Sequence, residues 1–128
     1  MKNFESWNKF KINLESTISE VIFHESEIWR SAIGVNLGHE EDGKGDLYER
    51  PVLILKKFNE NLLIAIPLST NIKEGRFYVN FLDDKLSYSV LLSQTKVMSS
   101  KRLLRKISKL SRGRFSVVKN AYFKLLNT

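Results

Sequence analysis

The sequence predicts a mainly β (α+β) domain, a small curled sheet or barrel with a helix at each end of the chain. Three observations predict it. Five short runs rich in β-branched and aromatic residues follow one another, short polar connections join them, and no helical pattern separates them. A chain of 128 residues with 42% hydrophobic and 27% charged residues has the size and composition of one soluble domain. We therefore expect residues 1–128 to form a single domain.

The first predicted element is a helix that runs from Asn3 to about Ile22. Its apolar residues recur at the spacing of one helix stripe: Phe4, Trp7, Leu14, Ile18 and Ile22. Asn3 is a plausible N-cap, and no Gly or Pro precedes Gly34 to interrupt a long helix. We expect residues 1–24 to be a helical extension that packs against the body of the domain.

The predicted strands share a length of five to seven residues and a content of Val, Ile, Leu and aromatic side chains. They are Glu27–Ile33, Pro51–Leu55, Leu62–Ile66, Phe77–Phe81 and Tyr88–Leu92. The connections Phe58–Asn61 and Asp83–Lys85 are short and polar, as in hairpins, so neighbouring strands are expected to be antiparallel. A long glycine-bearing loop, Val35–Arg50, suggests a functional segment. A closing helix is predicted over Ser111–Leu126.

Charge is distributed unevenly along the chain. Up to Gln94 there are 11 Lys and Arg against all 14 Asp and Glu, whereas Thr95–Thr128 holds 10 Lys and Arg and no acid. An unpaired basic third indicates a polyanionic partner, either a nucleic acid or an acidic polypeptide, although a solvated basic face with no partner fits equally well.

The chain offers few residues for metal or thiol chemistry. It has no Cys, which excludes disulfides, thiolate metal sites and a catalytic thiol, and its two His make a zinc site improbable. Neither a secretory signal nor a run long enough to span a membrane is evident, so we expect a cytoplasmic protein.

Three stretches stand out together. Gly38–Gly43 leads into Arg-Pro-Val-Leu-Ile at Arg50–Ile54, Pro-Leu-Ser-Thr follows at Pro67–Thr70, and Leu-Ser-Gln-Thr-Lys at Leu92–Lys96. In this order, behind an Ile-Trp strand and ahead of Lys-Arg-Leu, they resemble the PemK/MazF toxins of toxin–antitoxin systems. The resemblance covers about Glu27–Leu126 and leaves the first helix as an extension outside the common core.

The resemblance implies an SH3-like small barrel over residues 25–128, with the N-terminal extension and the C-terminal helix beside it. It also implies a homodimer and a cognate antitoxin. The implied activity is metal-independent, cofactor-free cleavage of messenger RNA at short single-stranded sequences. Arg50 corresponds to the family's arginine, Ser69 to its hydroxyl residue, which is more often Thr, and Glu40 to the Glu of its Gly-x-Glu loop. Glu41 stands where Gln is frequent, and the loop before Arg50 is longer than in the best-known members.

The residue chemistry fits RNA cleavage. Attack of a 2′-hydroxyl on phosphorus needs a proton acceptor, a donor for the departing 5′-oxygen, and positive charge at the phosphorane. The Arg50 fork suits the charge, Ser69 or Thr70 can hydrogen-bond a phosphate oxygen, and Glu40 or His39 can move protons. We predict Arg50, Ser69, Thr70 and Glu40 as catalytic residues. The predicted substrate-binding residues are His39, Lys44, Gln94, Lys96 and Arg102.

Other interpretations stay open at this point. Arg50 could simply pair with an acid at the loop base, Ser69 and Thr70 could form an ordinary strand end, and Glu40 could orient Arg50 instead of moving protons. Two other functions also remain. One is a barrel with a degraded site that binds RNA or a protein without cutting, and the other is a toxin of related fold that acts on DNA gyrase.

Overall fold

The computed structural model describes residues 2–16, 21–34, 42–43, 49–83 and 86–127. Its helices are α1 (Phe4–Ser16) and α2 (Arg112–Leu126). Its strands are β1 (Glu27–Ala32), β2 (Glu49–Lys57), β3 (Leu62–Ser69), β4 (Tyr78–Phe81), β5 (Tyr88–Leu91), β6 (Lys96–Ser99) and β7 (Leu103–Lys109). The predicted α+β class, mainly β with a helix at each end, is confirmed. Neither described helix is long and apolar enough to cross a membrane.

All described strand pairs are antiparallel, as the hairpin connections predict. The strand order is β4-β5-β3-β2-β1-β7. On its edge away from β2, β3 pairs with β6 over Leu62–Ala65 and with β5 at Leu68 and Ser69. Within the described residues the sheet is not closed, because β4 and β7 are its two ends. The curled sheet of the sequence prediction is therefore open along one side.

The predicted first helix is too long at its C-terminal end. Helix α1 ends at Ser16, and Ile22 lies in irregular chain ahead of β1 with 78% of its surface exposed. The β-branched pair Val21-Ile22 favours extended chain. That conformation brings Phe23, which is fully buried, into the core of the sheet. An apolar stripe alone does not show where a helix must stop for the next residues to reach the core.

Two strands, β6 and β7, were not predicted from the sequence. Strand β7 buries only Leu103, and most of its other side chains are exposed Lys, Arg and Ser. It lies at an end of the sheet, where lysine side chains commonly protect an edge from further pairing. The charged residues of β7 give no strand pattern in the sequence, although β7 pairs with β1 along nearly all of its length.

The core has two parts, one on each face of the sheet. One part joins the sheet to α2 and includes Leu53, Ile66 and Val118. The other includes Phe23 and Met98, packed on the opposite face. Alternate side chains of the central strands point to opposite faces, so β2 and β3 are buried on both. These two strands form a rigid support for the residues at their ends.

Helix α1 is anchored to the sheet by one aromatic side chain. Trp7 is its only buried residue, and the indole ring lies directly on the backbone of Gly34, just beyond β1. A Cβ at Gly34 would lie 2.0 Å from Trp7 Cε2, and Gly34 has a φ of +81°, a region that L side chains rarely adopt. Asn3 caps the helix, its Oδ1 accepting from the Ser6 N–H at 3.0 Å.

Gly34→Ala is therefore expected to displace α1. The clash with Trp7 and the positive φ together should lower the free energy of unfolding by about 1–3 kcal/mol. Thermal unfolding measures the loss, and tryptophan fluorescence should shift to the red as Trp7 is exposed. Gly113→Ala is the matched control, because a Cβ there meets nothing within 4 Å. An unshifted Gly34→Ala emission spectrum would contradict the prediction.

Candidate active site

A row of buried polar residues crosses the sheet where apolar side chains are expected. In β1, Ser31 pairs with Arg50 of β2, and in β3, Ser69 pairs with Ser89 of β5. The β2–β3 register pairs Val52 with Pro67, and Arg50 Nη1 donates to the oxygen of Leu68, the residue before Ser69. These four residues, here called the polar row, make up four of the six buried polar residues in the described part of the chain.

The Arg50 side chain is held by two main-chain carbonyls. Its Nε donates to the Asp42 oxygen at 2.8 Å, and its Nη1 donates to the Leu68 oxygen at 3.2 Å, next to Ser69. Only 9% of its surface is exposed. Both acceptors are neutral main-chain oxygens, and together they fix the plane of the guanidinium.

The Ser69 hydroxyl is oriented by the turn that follows β3. Its Oγ accepts the Asn71 N–H at 3.2 Å, which leaves the hydroxyl hydrogen to donate elsewhere. The side chain is buried, with 7% exposed, whereas Thr70 is exposed. The structure thus brings Ser69 beside Arg50 and places Thr70 at the surface directly after it.

An open groove of about 770 Å³ begins at Ser69 and Thr70. Its other lining residues come from β1, β2, β3, β5, β7, the β4–β5 connection and the start of α2, and most are apolar. Arg30 and Lys109 add positive charge, and Arg114 and Asp83 line it as an ion pair. Arg50 is not among the lining residues, so Ser69 is the point where the polar row reaches the groove.

One wall of the groove carries a two-pronged ion pair. Arg114 of α2 donates through Nη1 and Nη2 to the carboxylate of Asp83, and its guanidinium also lies over the Phe81 ring. The hydrogen bond from Arg114 holds the pKa of Asp83 below its ordinary value, and the bond to Asp83 raises the pKa of Arg114. The pair ties α2 to the β4–β5 connection.

Other predicted substrate-binding residues lie farther along the sheet. Gln94 is in a 3₁₀ turn, Leu92–Gln94, and Lys96 begins β6. Lys96 pairs with Ala65, four residues before Ser69, which is about 13 Å along the strand. Both are half-buried. Their role in substrate binding remains a prediction.

The Arg102 side chain contacts both β1 and the N-terminal helix. Its Nη1 donates to the Ala32 oxygen at 3.1 Å, and its guanidinium lies 5.4 Å from the centre of the Trp7 ring. Burial lowers its pKa from the ordinary arginine value. The predicted residues Glu40, His39 and Lys44 lie outside the described residues.

Sequence reasoning missed Ser31 and Ser89, which complete the polar row. Ser89 accepts the Lys73 N–H at 2.9 Å and donates to Asn80 Oδ1, so it fixes the loop that follows Thr70. The available signal was a single serine inside each of two strands that are mostly apolar. Its meaning depends on register, which aligns these serines with Arg50 and Ser69.

The fold and the site together define a class of proteins. The family model described as PemK-like, MazF-like toxin of type II toxin–antitoxin system matches residues 26–126. The chain belongs to this family. The match leaves α1 outside it. No curated protein matches the chain.

Solved structures share the fold. MazF from Deinococcus radiodurans is similar, with a TM-score of 0.67 and 16% identity, over 85% of this chain and 100% of that one. An endoribonuclease from a mycobacterial species, solved in complex with its cognate antitoxin, has a TM-score of 0.65 and 13% identity over 83% and 96% of the two chains. A MazE–MazF structure from Deinococcus radiodurans has a TM-score of 0.63 and 17% identity, over 84% of this chain and 97% of that one.

Proposed function

We propose that this chain is a toxin endoribonuclease that cleaves single-stranded messenger RNA by attack of a 2′-hydroxyl on the adjacent phosphorus. The observation that carries the proposal is the placement of Arg50 beside Ser69, at the end of an open, partly basic groove. Family membership supports the same activity.

The roles of Arg50 and Ser69 follow from their contacts, and that of Glu40 from the family resemblance. The Arg50 guanidinium, oriented by carbonyls at Nε and Nη1, supplies positive charge to a phosphate at Ser69. The Ser69 hydroxyl donates to a phosphate oxygen, and Thr70 serves as a second hydroxyl at the surface. Glu40 is proposed as the proton acceptor or as a residue that orients Arg50. The products would be a 2′,3′-cyclic phosphate and a 5′-hydroxyl.

Several positive charges in the basic third of the chain, Thr95–Thr128, are paired with acidic side chains. Among the residues that the structure describes, four cations of this third neutralise acids from earlier in the chain: Lys101 with Glu15, Arg105 with Glu49, Lys106 with Glu27 and Arg114 with Asp83. The expectation that this third is unpaired is therefore wrong in part. Arg30 and Lys109, which line the groove, suit the RNA backbone, with Gln94 and Lys96 as further contacts.

An antitoxin and a second copy of the chain are the proposed partners. Leu86 and Ile107 line the groove and are 56% and 48% exposed, beside the cations Arg30 and Lys109. An acidic segment with apolar side chains that folds on binding would match both features and would block Ser69. A cytoplasmic homodimer is part of the proposal.

Incubation of the purified protein with a long RNA in EDTA tests the activity. We expect cleavage at short single-stranded sequences, with 5′-hydroxyl ends detected by kinase labelling. No cleavage at high enzyme excess would contradict the proposal. In that case the second candidate, a barrel that binds RNA without cutting, is favoured by the low exposure of Arg50, 9%. Lost gyrase supercoiling with intact RNA would identify the DNA-directed alternative.

A further inference from the structure

We infer that the N-terminal segment made of Lys2 and α1 is a positioning element for Arg50, with Lys2 and Trp7 as positioning residues; this rests on the proposed function. Both Lys2 and the helix lie outside the matched family region, yet Lys2, two residues before the helix, contacts the short segment that holds the Arg50 guanidinium. Two independent connections, one ionic and one through packing, lead from the helix to that segment, Asp42–Gly43.

The ionic connection starts at Lys2. Lys2 Nζ lies 3.2 Å from both carboxylate oxygens of Asp42, and the two side chains are only 28% and 32% exposed. The main-chain oxygen of the same Asp42 accepts the Arg50 Nε–H at 2.8 Å. Lys2 thus binds the side chain of Asp42, and the main-chain oxygen of Asp42 orients the Arg50 guanidinium.

The packing connection starts at Trp7. Its ring covers Gly34, and the Gly34 oxygen accepts the Gly43 N–H at 2.6 Å. Arg102 closes the arrangement, because it lies over the Trp7 ring and bonds the Ala32 oxygen two residues before Gly34. Gly43 is therefore fixed by backbone that Trp7 presses against the sheet.

The two connections act on both residues of Asp42–Gly43, and this segment carries one of the two carbonyls that hold Arg50. A guanidinium that stabilises a transition state loses effectiveness when it is misaligned, and displacements of about 1 Å can cost about 100-fold in rate. Helix α1 therefore raises the turnover rate by fixing the direction of the Arg50 guanidinium. Substrate affinity depends on the groove and should not depend on α1.

The test uses the full chain with Lys2→Met, the conservative variant Lys2→Arg, and Lys9→Met as the matched control. Lys9 is an exposed lysine of α1. With a fluorogenic single-stranded RNA, Lys2→Met should lower kcat about 3- to 10-fold with KM within about twofold of wild type. Lys2→Arg should restore kcat, and Lys9→Met should leave it unchanged. Equal melting temperatures would confirm that all variants are folded.

A second measurement does not depend on activity. The Arg50 Hε should exchange slowly with solvent in ¹⁵N spectra, and Lys2→Met should speed its exchange about fivefold, whereas Lys9→Met should not. Unchanged exchange in Lys2→Met would overturn the inference, as would a rise in kcat, which would identify α1 as a lid. A wild type that leaves RNA intact would overturn the proposed function alone, since the exchange rates still decide whether α1 holds Arg50.

Discussion

Replacing Arg50 by alanine is expected to lower the rate of RNA cleavage about 100-fold or more, and to abolish growth arrest on expression. The reason is the loss of a donor aimed at charge that develops in the transition state. The position cannot be filled by its neighbours, because Ser31 and Ser69, on either side of Arg50 in the polar row, carry no charge. Single-turnover cleavage of a defined RNA measures the effect.

The same variant should also lose stability. Without Arg50, the oxygens of Asp42 and Leu68 lose a donor, at about 1–3 kcal/mol for each that stays buried and unpaired. The rate must therefore be compared at equal folded fraction, measured by circular dichroism. Arg50→Lys keeps the charge but lacks the fork, and it should still lose about tenfold or more.

Arg105→Ala is the control for the loss of an arginine. Its side chain is 62% exposed and pairs with Glu49, the residue before Arg50. It should change the cleavage rate by no more than about threefold. If folded Arg50→Ala cleaved RNA as fast as wild type, the assignment of the site would be wrong, whatever the activity of the protein.

Local signals predicted the parts of the fold that depend on neighbouring residues. The strand β5 and the N-cap of α1 are examples, since Asn3 Oδ1 accepts the Ser6 N–H as capping predicts. Strand β7 escaped prediction because its only buried residue is Leu103. Its pairing with β1 is a contact between segments more than 70 residues apart, which no local pattern records.

In the candidate site, too, residues in local motifs were predicted and residues that depend on strand pairing were not. Arg50, Ser69 and Thr70 were found because they stand within three residues of a proline in short motifs, which a resemblance can recognise. Ser31 and Ser89 were missed because their importance lies in the register that aligns them with Arg50 and Ser69. The stacking of Arg102 over the Trp7 ring could not be predicted either, since it requires α1 to be docked on Gly34.

Glu27→Gln is expected to be the most destabilising conservative substitution on the β1–β7 side of the sheet. Glu27 is 5% exposed, and its carboxylate accepts from Trp29 Nε1 at 3.0 Å and from the His24 N–H at 2.8 Å, with Lys106 Nζ at 3.0 Å. Burial alone would raise the pKa of Glu27, but these donors outweigh it and lower the pKa from 4.5 to about 2.

The lowered pKa gives the sign of the pH dependence. The charged form is favoured in the folded state, so its stabilisation is fully present above pH 4.5 and is lost as the pH falls towards 2. A shift of this size corresponds to about 3 kcal/mol at pH 7, which Glu27→Gln should lose. The difference between variant and wild type should shrink progressively below pH 4.5, in urea unfolding at a series of pH values.

Glu60→Gln provides the contrast, because Glu60 is 75% exposed in its ion pair with Lys57. An exposed pair of this kind contributes less than about 1 kcal/mol, and its loss should vary little with pH. A Glu27→Gln protein as stable as Glu60→Gln at pH 7 would mean that Lys106 is not neutralised at Glu27. Lys106 would then belong with the cations that face RNA, and the salt dependence of RNA binding in Lys106→Ala would fall by about one charge.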